Sequence, residues 1–220
     1  MKIVAEYVYS TGARALICLS ILALGGCASL QPKPRATVYD FGPGPVATVP
    51  TTRIAPLPAL VLGDTDASAA LDSPAVLYRL AYSDAQQLRP YALARWSMTP
   101  AQLLRQRLRE HLGLRRAVLN AAQGLVVDKP AMVLHLELDE FSHLFETTER
   151  SSGLVRLRAT LGQGGHGAER LVAQRSFIVQ RSAGSADAAG GVRALTEASD
   201  AVIAEIAQWL QQVEGATGRP

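Results

Sequence analysis

The sequence predicts an α+β domain, a mostly antiparallel sheet with two helices packed on one of its faces. Three observations predict it. Between residues 132 and 180 three segments alternate apolar and polar residues, the period of half-buried strands. Residues 99–113 and 191–213 instead repeat their apolar residues every three or four positions, the period of a helix with one buried stripe. The order is strands, helix, strands, helix, rather than the regular alternation of a parallel α/β sheet.

Thr37–Phe41 alternates and is rich in β-formers, a first strand closed by Gly42-Pro43-Gly44-Pro45. A second strand is expected at Thr51–Ala55 and, beyond Pro56 and Pro58, at Ala59–Leu62; residues 63–70 are small and polar and read as a loop. Ala75–Tyr82 reads as the third strand and Gln86–Trp96 as the fourth, joined by a hairpin at Ser83-Asp84. Pro90 cannot donate to a ladder, so it points to an edge or a bulge. Thr99-Pro100-Ala101-Gln102 starts a helix: Thr99 caps, Pro100 suits the first turn, and Gln102 reaches back. Leu104, Leu108 and Leu112 form its buried stripe, and Gly113 ends it.

Met132, Leu134, Leu136 and Leu138 then alternate with Val133, His135, Glu137 and Asp139. After Glu140 the phase passes to Phe141, His143 and Phe145, which predicts a bulge. Val155–Leu161 makes the next strand, Gly162–Gly167 the connection, and Leu171–Gln180 the last strand. Glu137 and Asp139 are expected to face Arg156 and Arg158 across an antiparallel pair. Residues 182–190 read as a loop. The final helix covers 191–213, with Leu195, Val202, Ile206, Trp209 and Val213 on its apolar stripe.

Ahead of this domain, the apolar run Ala15–Leu24 ends in Gly25-Gly26-Cys27, with Lys2 and Arg14 before it. A basic start, a short apolar run and small residues form an export signal. The run is too short to span a bilayer, which needs about 20 apolar residues. The cysteine after the small residues resembles a bacterial lipoprotein signal, in which the chain is cut before Cys27 and that residue is lipidated. Two or more acyl chains anchor a protein stably, at about 0.8 kcal/mol per buried methylene. The expected organisation is a signal at 1–26, a lipidated tether at 27–36, one domain at 37–214 and a tail at 215–220. Pro32 and Pro34 favour an extended tether, and residues 28–36 reach roughly 30 Å at about 3.3 Å each. Ala28 and Ser29 follow the cysteine without an Asp, which by resemblance to enterobacterial lipoproteins implies the periplasmic face of the outer membrane.

The chain carries 22 Lys and Arg against 19 Asp and Glu. Cleavage would remove Lys2, Arg14 and Glu6, leaving a balance near neutrality that argues against nucleic acid. Arg105, Arg107, Arg109, Arg115 and Arg116 form the one dense basic patch and read as a solvated helix face. Cys18 leaves with the signal and Cys27 takes the lipid, so no disulfide or thiolate site is expected in the domain. Gly162–Gly167 lacks the Gly-Lys-Ser/Thr ending of a phosphate loop and reads as a hairpin connection. His135, His143 and His166 lack the spacing of a three-ligand metal site, and Ser73 is not a nucleophile elbow. No catalytic set is expected, and no cofactor beyond the covalent lipid on Cys27.

Leu71-Asp72-Ser73-Pro74-Ala75-Val76-Leu77-Tyr78-Arg79, followed by Tyr91-Ala92-Leu93-Ala94-Arg95-Trp96, resembles a known family. With Tyr39-Asp40-Phe41 before and Pro100–Leu108 after, the chain is similar to the ABC-type transport auxiliary lipoproteins, the PqiC-like group. The resemblance implies a non-catalytic subunit at the outer-membrane end of a phospholipid or other lipid route, serving envelope integrity. The partners it implies are an MCE-domain protein and, less directly, an ABC permease and ATPase; a homo-oligomeric ring fits the same picture. It supplies no catalytic residues. Tyr78, Arg79, Tyr82, Tyr91, Arg95 and Trp96 form the densest Tyr/Trp/Arg cluster, residue types enriched at interface hot spots, and are the candidate partner contacts, Arg79 and Trp96 foremost. The competing expectation is a structural or assembly lipoprotein for an outer-membrane barrel or envelope scaffold, with no part in lipid traffic.

Overall fold

In a computed structural model, residues 34–44, 57–120, 132–164 and 169–217 are described. The export signal, Cys27, most of the tether and the expected strand at Thr51–Ala55 lie outside them. The elements are β1 (Thr37–Tyr39), β2 (Leu57–Ala67), β3 (Ala75–Leu80), α1 (Ala81–Asp84), β4 (Ala85–Trp96), α2 (Pro100–Gly113), β5 (Arg116–Asn120), β6 (Met132–Phe145), β7 (Ser151–Gln163), β8 (Arg170–Ser182) and α3 (Ala188–Thr217).

The sheet is α+β in class and mixed in direction. Its long ladders, β6 with β7 and β7 with β8, are antiparallel, as is the shorter β3–β4 pair. Four further pairings are parallel: β1 with β4, β2 with β5, β2 with β6, and β3 with β6. Alternation records which face a residue takes and not the direction of the neighbouring strand, so these pairings were not legible. The sheet forks at β6. On one edge β6 pairs with β7 along its whole length. On the other it takes β2 beside Met132–Leu138 and β3 beside His143–Phe145. Between the two branches lies the bulge the sequence anticipates, a register shift between Leu138 and Glu140.

Other expectations shift at their ends. Residues 63–67, read as loop, continue β2. The hairpin at Ser83-Asp84 is a full helical turn, α1. β5 had no expectation; its five residues carry too little pattern to declare a strand. Helix α3 starts at Ala188 and runs past Gly215. Asp187 sets that start: its carboxylate accepts the Gly190 amide at 2.7 Å, as an N-cap does.

Helix α2 begins as read. The Thr99 hydroxyl accepts the Gln102 amide at 3.4 Å and the Gln102 side chain accepts the Thr99 amide at 3.1 Å, a reciprocal capping box. Leu103, Leu104, Leu108 and Leu112 are buried beneath it, and α2 packs on β2 and β5. Helix α3 packs on β7, β8 and β6 and touches α2, with Trp209 edge-on to Phe177 of β8 at 5.9 Å between rings.

The expected solvated arginine face is corrected at two positions. Arg107 is 7 % exposed: it donates to the Phe41 carbonyl at 2.5 Å and pairs with Asp200 of α3 at 3.0 Å. Arg116 is buried in a two-pronged pair with Glu214, at 2.5 and 2.7 Å. Both clamp α3 to the rest of the fold, a role that helix periodicity cannot reveal because the partners lie 93 and 98 residues away. Across β6 and β7, Glu137 faces Arg158 at 3.2 Å as expected, whereas Asp139 is the extra residue of the bulge and has no cross-strand partner residue.

Candidate functional site

The fork at β6 gathers an aromatic cluster under the first turns of α3. Tyr78 of β3, Tyr91 of β4, and His143 and Phe145 of β6 meet there. The Tyr78 and Tyr91 rings lie 4.6 Å apart and those of His143 and Phe145 4.4 Å apart. The phase change at the bulge places His143 here: beyond Glu140 the odd positions Phe141, His143 and Phe145 turn to the side that α3 covers. The Tyr91 hydroxyl and His143 Nδ1 are 2.8 Å apart. His143 has no exposed surface, and its Nε2 finds no hydrogen-bond partner. Gly191 lies directly on the imidazole; a Cβ there would run into the ring.

The electrostatics follow from burial, complete at His143 and partial at Tyr91. Burial is the main cause that lowers the His143 pKa from 6.5 to about 4, against the opposing pull of Asp187 and Glu146. Burial first, then Tyr78 and Asp187, push the Tyr91 phenol above the usual tyrosine range. The Gly190 amide, followed by the Ser185 hydroxyl, holds the Asp187 carboxyl below its usual value. At neutral pH the contact therefore joins two uncharged groups. It joins β4 to β6 directly beneath Gly191 of α3.

This geometry predicts acid-sensitive stability. The unfolded chain takes up a proton on His143 near pH 6.5, whereas the folded chain resists it down to about 4. The stability contribution is complete above about pH 6.5, falls as pH drops, and levels off below about 4. Its full size is about 3 kcal/mol. Urea midpoints at pH 7.5 and 4.5 should show a smaller acid-side loss in His143→Phe than in the native chain. An equal loss in both would assign the effect to other groups.

The six sequence candidates separate. Tyr78 and Tyr91 enter the cluster. Arg79, next to Tyr78, points to the opposite side of β3. There it makes a two-pronged pair with Glu140, at 3.0 Å to each oxygen, and also donates to the Ala85 and Gln86 carbonyls. Trp96 has no exposed surface and packs edge-on against Phe41 and Phe141, at 5.6 and 5.7 Å; as a direct partner contact it is corrected to core. Arg95 is exposed on β4, and Tyr82 is 48 % exposed on α1. Sequence reasoning missed Glu140 and His143 as members of the site. The one signal for both was the phase slip that announced the bulge, since a bulge re-aims the side chains beside it.

The fold and its buried polar groups define the class: an α+β domain whose buried ion pairs hold its own elements together. Among the described residues no helix is long and apolar enough to cross a membrane. The model of the family described as ABC-type transport auxiliary lipoprotein component matches residues 39–207, and the chain belongs to that family. The PqiC-like resemblance read from the sequence is thereby borne out. That family is one of transport auxiliary components and not a known enzyme family. Solved structures share the fold. A Xanthomonas campestris protein of the DUF330 family superposes with a TM-score of 0.65 at 21 % identity, over 84 % of this chain and all of that one. An uncharacterised protein superposes with a TM-score of 0.57 at 16 % identity, over 80 % of this chain and 99 % of that one. No curated protein sequence matches this chain at a significant level.

Proposed function

We propose that the chain is the lipid-anchored, periplasmic accessory subunit of an MCE/ABC-type transport system for phospholipid or another lipid. It is tethered through Cys27 to the outer membrane and acts as a docking or receiving subunit. The observation that carries this reading is the family match over residues 39–207, joined to the Gly25-Gly26-Cys27 signal at the N-terminus. Its direct partner is an MCE-domain protein, with the permease and ATPase engaged through it. The subunit has no catalysis of its own. Support comes from its titratable groups: Arg79, Arg107, Arg116 and His143 all face partners inside the fold. In this reading both long helices cover one face of the sheet and leave the other side for assembly.

Two measurements test it. The tagged lipoprotein is purified from crosslinked envelopes, and proteins and lipids are both read by mass spectrometry. An MCE-domain protein in the eluate supports the reading; a barrel or peptidoglycan-linked partner without one replaces it with an assembly role. Cys27→Ser removes the acylated side chain, so most of the protein should move from the outer-membrane fraction to the soluble periplasm. Retention of the variant in the outer-membrane fraction would exclude Cys27 as the anchor.

A further inference from the structure

Strand β8 forms one edge of the sheet. Among the described residues it pairs with β7 and with nothing on its other side. At 13 residues it is long for an edge; it carries no proline, its charged residues are the three arginines Arg170, Arg175 and Arg181, and its register shifts once, at Val172. Its two exposed apolar residues, Leu171 at 63 % and Ile178 at 65 %, are the most exposed large hydrophobics among the described residues.

The register sorts its side chains by face. Leu171 stands opposite Gly162 and Ile178 opposite Arg156, two even positions on β7 and therefore one face. Arg170, Arg175 and Arg181 stand opposite Gln163, Ala159 and Gly153, odd positions and therefore the other face. The strand contains no Asp or Glu, and none of these three arginines has a carboxylate within ion-pair distance among the described residues. Arg175 lies over the Phe177 ring, 5.0 Å from its centre, and Arg170 donates to the Gln163 side chain. An incoming strand would meet Arg170, Arg175 and Arg181 interspersed with Ala173, Phe177 and Val179 on one face, and Leu171 and Ile178 interspersed with Gln174, Ser176 and Gln180 on the other.

We propose that β8 is a docking edge for an extended segment of another protein that alternates carboxylate-bearing and apolar residues. Strand addition supplies backbone hydrogen bonds, and the alternation supplies specificity. A second copy of this chain fits less well, because antiparallel β8–β8 pairing sets one arginine row beside another, and like charges side by side are destabilising. The inference stands apart from the transport reading, since it concerns which segment the edge accepts and not what system supplies it.

The test uses the full chain, purified in mild detergent, and labelled peptides of about ten residues, enough to cover most of the strand. One alternates Val and Glu, one alternates Val and Lys, and one has the first composition in shuffled order. The Val/Glu peptide should bind at least about tenfold tighter than the other two. It should also slow hydrogen exchange at the amides of residues 170–182. Arg175→Glu combined with Arg181→Glu should reverse the preference toward the Val/Lys peptide. Equal binding of the shuffled or lysine peptide, protection elsewhere in the chain, or no binding of the Val/Glu peptide overturns the proposal. So does protection of 170–182 that rises with protein concentration and no peptide, because that would assign the edge to a second copy. The peptide comparison on the native chain decides the matter even where the double variant folds poorly.

Discussion

Gly153→Ala is expected to destabilise the fold by about 3 kcal/mol, the upper end for forcing one extra methyl into a packed interior. Gly153 lies in β7 between His143 and Arg181, directly under the Ala194–Leu195 turn of α3. A methyl there would meet helix backbone: the Leu195 nitrogen lies 2.5 Å and the Ala194 carbonyl oxygen 2.7 Å from where its carbon would sit. A clashing side chain can change rotamer, but backbone yields only if the whole helix lifts. Lifting α3 loosens Leu195, Ala198 and Val202 from the core and uncovers His143 through the same turn. For a chain of this size the loss corresponds to a melting temperature lower by roughly 6–12 °C. Gly184→Ala is the control, since a Cβ at that position meets nothing within 4 Å. Equal melting of the two variants would mean that α3 does not approach β7 so closely.

Arg79→Ala is the second large effect, again of about 3 kcal/mol. The sequence marks Arg79 as a partner contact, whose loss should spare the melt. The fold gives it a different environment. Its guanidinium is the counter-charge of Glu140, which is 7 % exposed, and it also ties down the Ala85 and Gln86 carbonyls where β4 begins. Removing it leaves a carboxylate in the notch of the fork with no cation beside it, and desolvation without compensation makes such losses large. Arg79→Met with Glu140→Leu removes both charges and should recover most of the stability. Thermal melts of the single and double variants separate the two roles. An unchanged melt for Arg79→Ala, together with weaker recovery of a partner, would return Arg79 to the assembly surface.

These two positions show how the limits of sequence reading arise. Local features were legible. The Thr99–Gln102 box, the leucine stripe of α2, the bulge after Leu138 and the Glu137–Arg158 pair each follow from spacing within one element or between adjacent strands. Arg107 and Arg116 depart from the solvated face that helix spacing suggests, because a guanidinium looks alike whether it faces water or a carboxylate in a distant segment; the Glu140 partner of Arg79 is hidden from the sequence in the same way. Residue type alone marks Trp96 as a contact, and residue type does not state depth; the side chain is fully buried.

By itself the sequence determined the α+β class, the period of each long element and the family, because each is written in short-range pattern. The tertiary structure alone decided the forked sheet, the four parallel pairings and the sealing of His143 under Gly191. It also decided that, among the described residues, β8 is left as an edge. These depend on which strands become neighbours, and that is fixed by how buried faces from distant segments fit together, a property that no single segment carries.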